Sequence, residues 1–436
     1  MSAPSYQCPK GTHDILPEDH LYFSFIKKVV RYHCRRAGYR RISTPMFEEL
    51  DVFVRSIGDT SDIVEKEMFV FESKSGKKYA LKPEGTAGVV RAYLQNGMQQ
   101  LPKPVELYYI EPHFRYNRPQ KGRYRQFHQY GFEVLGESDA AIDAQVVFLA
   151  HKINTDLGIA DRLTLQLNTL GSLEDRKKYK EDLVNYYTGK ERSLCEDCKR
   201  RMHTNPMRLL DCKEEDCQIL ASMAPKLSSV LSEESKEHFR LLQEYLKELK
   251  VPYVLNEHLV RGLDYYTHTV FEFWSKKDGA QNAIGGGGRY DGLVELMGGP
   301  PTPAIGFAAG IERVVEYMQE AGIRPPNKDA VDVFVAQLGL IAKKKSLPLL
   351  NELREKGINT VGAVGQASIK AQMGLADRIQ AKYSLILGQI EVQEGTVILR
   401  DMKKGSQETI PFGGIVDKMV KLLGENKLKN KKLWEE

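Results

Sequence analysis

No acidic residue falls between Glu111 and Glu133, whereas Arg115, Arg118, Lys121, Arg123 and Arg125 place five cations there, interleaved with Tyr116, Tyr124, Phe127 and His128. Guanidinium groups bind phosphate oxygens bidentately and aromatic faces stack on bases, so such a segment can hold a polyphosphate together with single-stranded nucleic acid. A charge run in isolation is more often a solvated loop. Two distant segments add to this one. Arg261 stands directly before a glycine turn and two tyrosines in Arg-Gly-Leu-Asp-Tyr-Tyr-Thr (261–267), and Gly306–Arg313 sets small residues ahead of a helical arginine, as close approach to a ligand requires. Other phosphate and hydrolytic signatures are missing. The chain has no G-x-x-x-x-G-K-[ST], the glycine run Gly285–Gly288 fails the G-x-G-x-x-G spacing, and neither H-E-x-x-H nor G-x-S-x-G occurs. Four of the six cysteines, Cys195, Cys198, Cys212 and Cys217, follow C-x₂-C, thirteen residues, C-x₄-C. This spacing admits one structural zinc; the competing reading is that they are small apolar fillers.

The elements that must position these residues follow from periodicity. Leu21, Phe25, Ile26, Val29, Val30 and Tyr32 recur at helical spacing within 19–37, and Asp139 is a plausible N-cap for an amphipathic helix over 139–157. β-prone pieces lie at 68–72, 79–84, 105–111 and 127–136. A further hairpin is expected from 270–274 and 281–284 around the turn Lys277-Asp278-Gly279. Their alternation favours antiparallel pairing. Residues 172–250 are highly charged, hold the four clustered cysteines and show no clear strand, which predicts a helical insertion. After the polar, Pro/Gly-rich GIRPPNKDA, the pieces 331–338, 341–356, 358–362, 368–381 and 383–388 alternate strand and helix, as in a small α/β domain with mostly parallel pairing.

The predicted fold class is therefore α+β: an antiparallel sheet of six or more strands flanked by helices, a helical insertion, and a C-terminal α/β domain. Residues 1–171 and 251–325 would form the core, 172–250 the insertion, 330–425 the C-terminal domain and 426–436 a basic tail. With 436 residues, 42% hydrophobic and 28% charged, the chain is too apolar for disorder. The net charge of +5 neither demands nor excludes a nucleic-acid partner. No stretch approaches the ~18 apolar residues of a membrane span. The start carries no secretory pattern, so a cytoplasmic location is the expectation.

At these residues the chain resembles the histidyl-tRNA synthetases, aminoacyl-tRNA synthetases of the class built on an antiparallel sheet, and its KGRYRQFHQ form resembles the bacterial type. FRYNRPQKGRYRQFHQYGFE (114–133) is similar to the class motif that binds ATP and the tRNA acceptor end, and AIGFAAGIER (304–313) to the motif with the ATP arginine. KPEGTAG (82–88) and RGLDYYT (261–267) match patterns of the histidine enzymes, while Pro45 stands where the class has its dimer-interface proline. The resemblance implies activation of L-histidine by ATP with Mg²⁺, transfer to tRNA-His, and a homodimer whose C-terminal domain binds the anticodon.

Carried over residue by residue, it places Arg115 and Arg261 at the α-phosphate as catalytic groups. Arg115, Arg123, Arg313 and Asn117 would bind ATP, with Arg123 and Arg313 on the β- and γ-phosphates. Glu84, Thr86 and Gln129 would take the ammonium and carboxylate of histidine, to which Arg261 and Tyr265 also belong. Glu133 and Tyr266 would address the imidazole. The motif departs from the family at Asn117, where a glutamate is usual, so the carboxylate expected beside the adenine amine is missing. Restoring it with Asn117→Glu is expected to tighten ATP binding. A regulatory subunit of ATP phosphoribosyltransferase, built on the same core without the anticodon domain, is the alternative reading. A tRNA-sensing domain is a third, against which the retained arginines argue.

Overall fold

The computed structural model describes residues 6–58, 61, 63–118, 122–276, 283–327, 330–362 and 368–424, in two units, Met1–Pro325 and Pro326–Glu436. The turn expected at 277–279 and the tail from 426 lie outside the described residues.

Alternating apolar residues build the large sheet of the first unit. Val105–Phe114 and Gln126–Leu135 form a long hairpin in register from Val105 opposite Leu135 to Phe114 opposite Gln126. Ala304–Gly310, Ala283–Arg289, Thr267–Ser275 and Leu163–Thr169 continue it in that order, each antiparallel to its neighbour. The sheet is not purely antiparallel as expected. Arg40–Arg41 and Val254–Leu255 pair in parallel at its two edges, each too short to leave a period in the sequence.

The pleat sends successive side chains to opposite faces. Tyr130, Phe132, Phe271, Phe273, Ile305 and Phe307 all point to one face, where the helices Pro17–Arg36, Ala140–Asp156 and Ile311–Glu320 bury Phe23, Ile26, Val146, Val147 and Val314 against them. Asp139 caps its helix by accepting from the Ala141 amide at 2.8 Å. One turn on, the fully buried Asp143 accepts from Arg289 Nε at 3.0 Å and Thr269 at 2.5 Å, forms an ion pair with the same guanidinium, and lies 2.9 Å from His238 Nε2. That network ties the helix to two strands and to the helix Glu233–Glu248.

The opposite face carries Leu107, Tyr109, Val270, Tyr266 and Leu135 beneath the helix Thr86–Gln95 and residues 172–250. Residues 172–250 hold the helices Leu173–Tyr187, Glu196–Thr204 and Glu215–Ser222 on this face, while their last helix, Glu233–Glu248, packs Leu242 and Leu246 into the first face's core; among the described residues they hold no strand. Tyr179, Leu183, Tyr187, Cys198 and Met202 join the sheet residues in one core rather than forming a separate one.

In the second unit, Val333–Gln337 pairs in parallel with Thr360–Gly362 and Tyr383–Leu387, with the helices Leu340–Glu355 and Ile369–Arg378 between them. Beyond the expected elements, Thr396–Asp401 and Gln407–Pro411 extend the sheet antiparallel, so half of its pairings are not parallel.

Candidate active site

Strand register alone brings several of the candidate residues together. On the face away from the long helices, Glu133 lies opposite Gly306, Gly306 opposite Gly288 and Gly288 opposite Val270. Two residues along, Gly131, Ala308, Gly286 and Glu272 make the next row, and Gln129 and Gly310 begin a third. The centre of this face is thus almost bare of side chains. A Cβ on Gly306 would run into the Glu133 carboxylate, and one on Gly286 would sit 2.6 Å from Arg261 Nη1 and 2.8 Å from Glu272 Cγ. Above the bare strip lies a cavity of about 350 Å³ whose walls include Glu67, Arg115, Asn117, Arg123, Gln129, Arg261 and Arg313. All four arginines expected to act on ATP therefore face one space.

A second group is packed under the helix Thr86–Gln95. Glu84 accepts from the Thr86 and Ala87 amides, both at 2.7 Å, and so caps the helix N-terminus. Burial pushes its carboxyl up, against the pull of those two amides and of Arg115. Glu133 is more thoroughly enclosed: Thr86 Oγ1 donates to it at 2.9 Å and the Tyr290 hydroxyl at 2.6 Å, with the Tyr109 hydroxyl at 3.4 Å. Burial outweighs these donors and pushes its pKa up to about 8. Tyr265 packs against both Tyr266 and Tyr290, at centroid distances of 4.7 and 5.7 Å.

Tyr290 and Tyr109 are the hydroxyl partners of Glu133 that sequence reasoning did not single out; their signal was their position at the end of the glycine run and within an aromatic strand. Tyr266, expected with Glu133 at the imidazole, faces Arg261: the guanidinium lies 5.4 Å from its ring centroid.

The arginines are held rather than free. Arg115 Nε donates to the Pro83 carbonyl at 2.8 Å, which fixes it beside Glu84, and its guanidinium lies 5.6 Å from the Phe127 ring. Arg313 donates to the carbonyls of Gly122 at 3.1 Å and Ala283 at 2.5 Å. Burial, with Arg123 and Arg115 nearby, lowers its pKa to about 10, the mark of cations gathered where an anion would offset them. Arg261 pairs with Glu272, while its Nε is buried without a partner. Gln129 Oε1 is likewise buried without a partner, an acceptor suited to an ammonium.

At Asn117 the structure supplies what the motif lacks. The amide NH₂ turned toward Glu67 lies 2.5 and 3.2 Å from its two carboxylate oxygens, so a carboxylate stands beside this position after all. This contact bears on the expectation that Asn117→Glu tightens ATP binding, since the new carboxylate would face Glu67.

The four clustered cysteines converge from three segments, with their sulfurs all within 4.8 Å of one another. A larger cavity of about 740 Å³ is walled by Leu210–Lys213 on one side and by Arg123, Glu272 and Arg313 on the other.

Comparison with known proteins gives concordant results. The family model described as Histidyl-tRNA synthetase matches residues 11–314, and that described as Anticodon binding domain matches 332–422. A protein of Dehalococcoides mccartyi named Histidine--tRNA ligase is 48% identical over 411 residues, covering 94% of this chain and 98% of its own length. One of the same name from Anoxybacillus flavithermus is 43% identical over 422 residues, covering 96% and 100%. Among solved structures, apo S. aureus histidyl-tRNA synthetase is similar with a TM-score of 0.80 at 37% identity, covering 95% of this chain and 99% of that one.

Proposed function

The chain belongs to the histidyl-tRNA synthetase family, and from that premise we propose that it activates L-histidine with ATP and passes the histidyl group to the 3′ end of tRNA-His. The observation that carries the proposal is a buried carboxylate held by tyrosine hydroxyls, Glu133, on the same strand and face as Gln129, which lines a cavity walled by four arginines. An imidazole has two ring nitrogens and a pKa near neutrality. Burial holds the Glu133 carboxyl at about 8, and an imidazolium placed beside it would pull it back down, so the two can pair as carboxylate and cation, the ring carrying its proton in with it. Analogues without those nitrogens would offer the carboxyl nothing beyond its own Thr86 and Tyr290 donors, which discriminates against them.

With the ring held there, Glu84 and Gln129 take the ammonium, and the substrate carboxylate points toward Arg115 and Arg261. One of its oxygens attacks the α-phosphorus of ATP, the bond to the bridging oxygen breaks, and pyrophosphate leaves. Negative charge grows on phosphate oxygens during this step, and preorganised cations stabilise it without reorganising solvent. Arg115 and Arg261 act at the α-phosphate, Arg123 and Arg313 at the β- and γ-phosphates. Asn117, its NH₂ held by Glu67, turns its carbonyl oxygen toward the adenine amine. The family implies Mg²⁺ bound with the ATP, and the hard carboxylate oxygens of Glu67 and Glu272 on the cavity wall suit such an ion.

The 332–422 match supports anticodon recognition by the second unit and disfavours the regulatory-subunit alternative. Met46, Phe47, Val70 and Phe71, exposed beside Pro45 on a small three-stranded sheet, support a homodimer through that surface. None of the described helices is long and apolar enough to cross a membrane, and a place in the cytoplasm fits a tRNA substrate. The test is exchange of pyrophosphate into ATP. Exchange with histidine and not with glutamine or phenylalanine is expected; equal exchange with another amino acid, or none with any, overturns the assignment.

A further inference from the structure

We propose that Cys195, Cys198, Cys212 and Cys217 bind one structural Zn²⁺ that staples the 195–198 turn to the segment running from Asp211 into the helix Glu215–Ser222. The geometry comes first. Tetrahedral zinc with Zn–S bonds of about 2.3 Å holds its sulfurs about 3.8 Å apart. The Cys195 and Cys212 sulfurs are 3.8 Å apart, and no pair of the four exceeds 4.8 Å. All four are free thiols, so no covalent bond accounts for the convergence.

One backbone donor already serves the cluster: Cys217 Sγ accepts from the Cys195 amide at 3.3 Å. N–H donors of this kind orient metal-bound sulfur and offset its charge. All four thiols border one hydrophobic core, Cys198 and Cys217 inside it and Cys195 and Cys212 against it, so burial alone does not separate ligand from filler; the meeting of the sulfurs does. Fillers have no reason to meet sulfur to sulfur.

The segment has a need that a metal meets. Glu196–Thr204 and Glu215–Ser222 are short helices, the first rich in charge, and each buries only two of its side chains. A tetrahedral site would close the loop between them, and its binding free energy would act as folding free energy. The stapled segment includes Asp211–Lys213, which wall the larger cavity opposite Arg123 and Arg313. Metal would therefore set the shape of one side of that cavity while staying out of the chemistry.

The test uses the intact wild-type chain, purified without chelator and kept reduced. Elemental analysis should find about one zinc per chain after dialysis, and a mercurial thiol reagent should release it as four thiols react. Replacing it with Co²⁺ should give the thiolate-to-cobalt charge-transfer band and the intense visible bands of a tetrahedral sulfur site. Cys217→Ser should lose the metal, whereas Cys8→Ser, far from the cluster in sequence, should keep it. Only trace zinc, with no uptake when Zn²⁺ is added to the reduced wild-type chain, overturns the proposal. So does iron outcompeting zinc when both are supplied, or cysteines paired as disulfides that take up no zinc after reduction. None of these readouts depends on catalysis, so their failure leaves the histidine-dependent exchange standing as a separate question.

Discussion

Glu133→Gln separates the two consequences of burying that carboxyl. The side chain is 1% exposed and its pKa is raised from 4.5 to about 8, with burial as the leading cause. At ~1.36 kcal/mol per pKa unit this corresponds to a cost of roughly 5 kcal/mol for the ionised folded form. The folded state keeps the proton until about pH 8, whereas the unfolded chain releases it near 4.5. Between those values the folded state binds more protons, so stability falls as pH rises through the window and levels off above it. Between about pH 6 and 8.5 the wild type should lose roughly 2.5 kcal/mol on this account. Glutamine has nothing to ionise and nearly the same shape. Urea unfolding of both proteins across that range should show the variant gaining on the wild type by roughly that amount, other titrations cancelling in the difference.

In the same variant, histidine loses a partner able to take the charge-paired form, and its affinity should drop by about 10²–10³-fold. Parallel pH profiles for the two proteins would refute the reasoning that burial holds a proton on Glu133. Undiminished histidine affinity would remove this carboxyl from imidazole recognition.

Arg261→Ala should lower the rate of histidine-dependent pyrophosphate exchange by about 10²–10³ with little change in the Michaelis constant for histidine, as for a donor used chiefly in the transition state; an unchanged turnover with a raised Michaelis constant would move it to ground-state binding. Asn117→Glu should weaken ATP binding in titration calorimetry because two carboxylates then face each other, while the double variant with Glu67→Gln should recover it; tighter binding by the single variant would show that Glu67 does not govern this position.

Much of this was legible in the sequence where one element's own periodicity decided the outcome. The helix Ala140–Asp156 with its Asp139 cap and the strand Gln126–Leu135 lie close to their expected spans. Once that strand is drawn, its period of two puts Gln129 and Glu133 on the same face. Contacts between distant segments were not legible. Tyr290 donates to Glu133, from which it is 157 residues removed, and Glu67 reaches Asn117 from another element altogether. Neither meeting leaves a local pattern. The two-residue edge strands escaped because a period of two needs more residues to show itself. Asp143, an acid on an otherwise apolar helix face, reads as a break in the pattern until Arg289, Thr269 and His238 arrive around it.

The bare strip at the centre of the sheet has a consequence for how the site can change. Gly286, Gly288 and Gly306 leave a floor made of peptide groups, and peptide groups have no rotamers. The contour a bound molecule meets there is set by strand pairing, so it cannot be retuned by swapping one side chain for a similar one. Any replacement only subtracts space. New specificity would have to enter through the walls, where Asn117 and Glu67 show one such exchange, while the floor persists like the bed of a mould whose sides alone are recut.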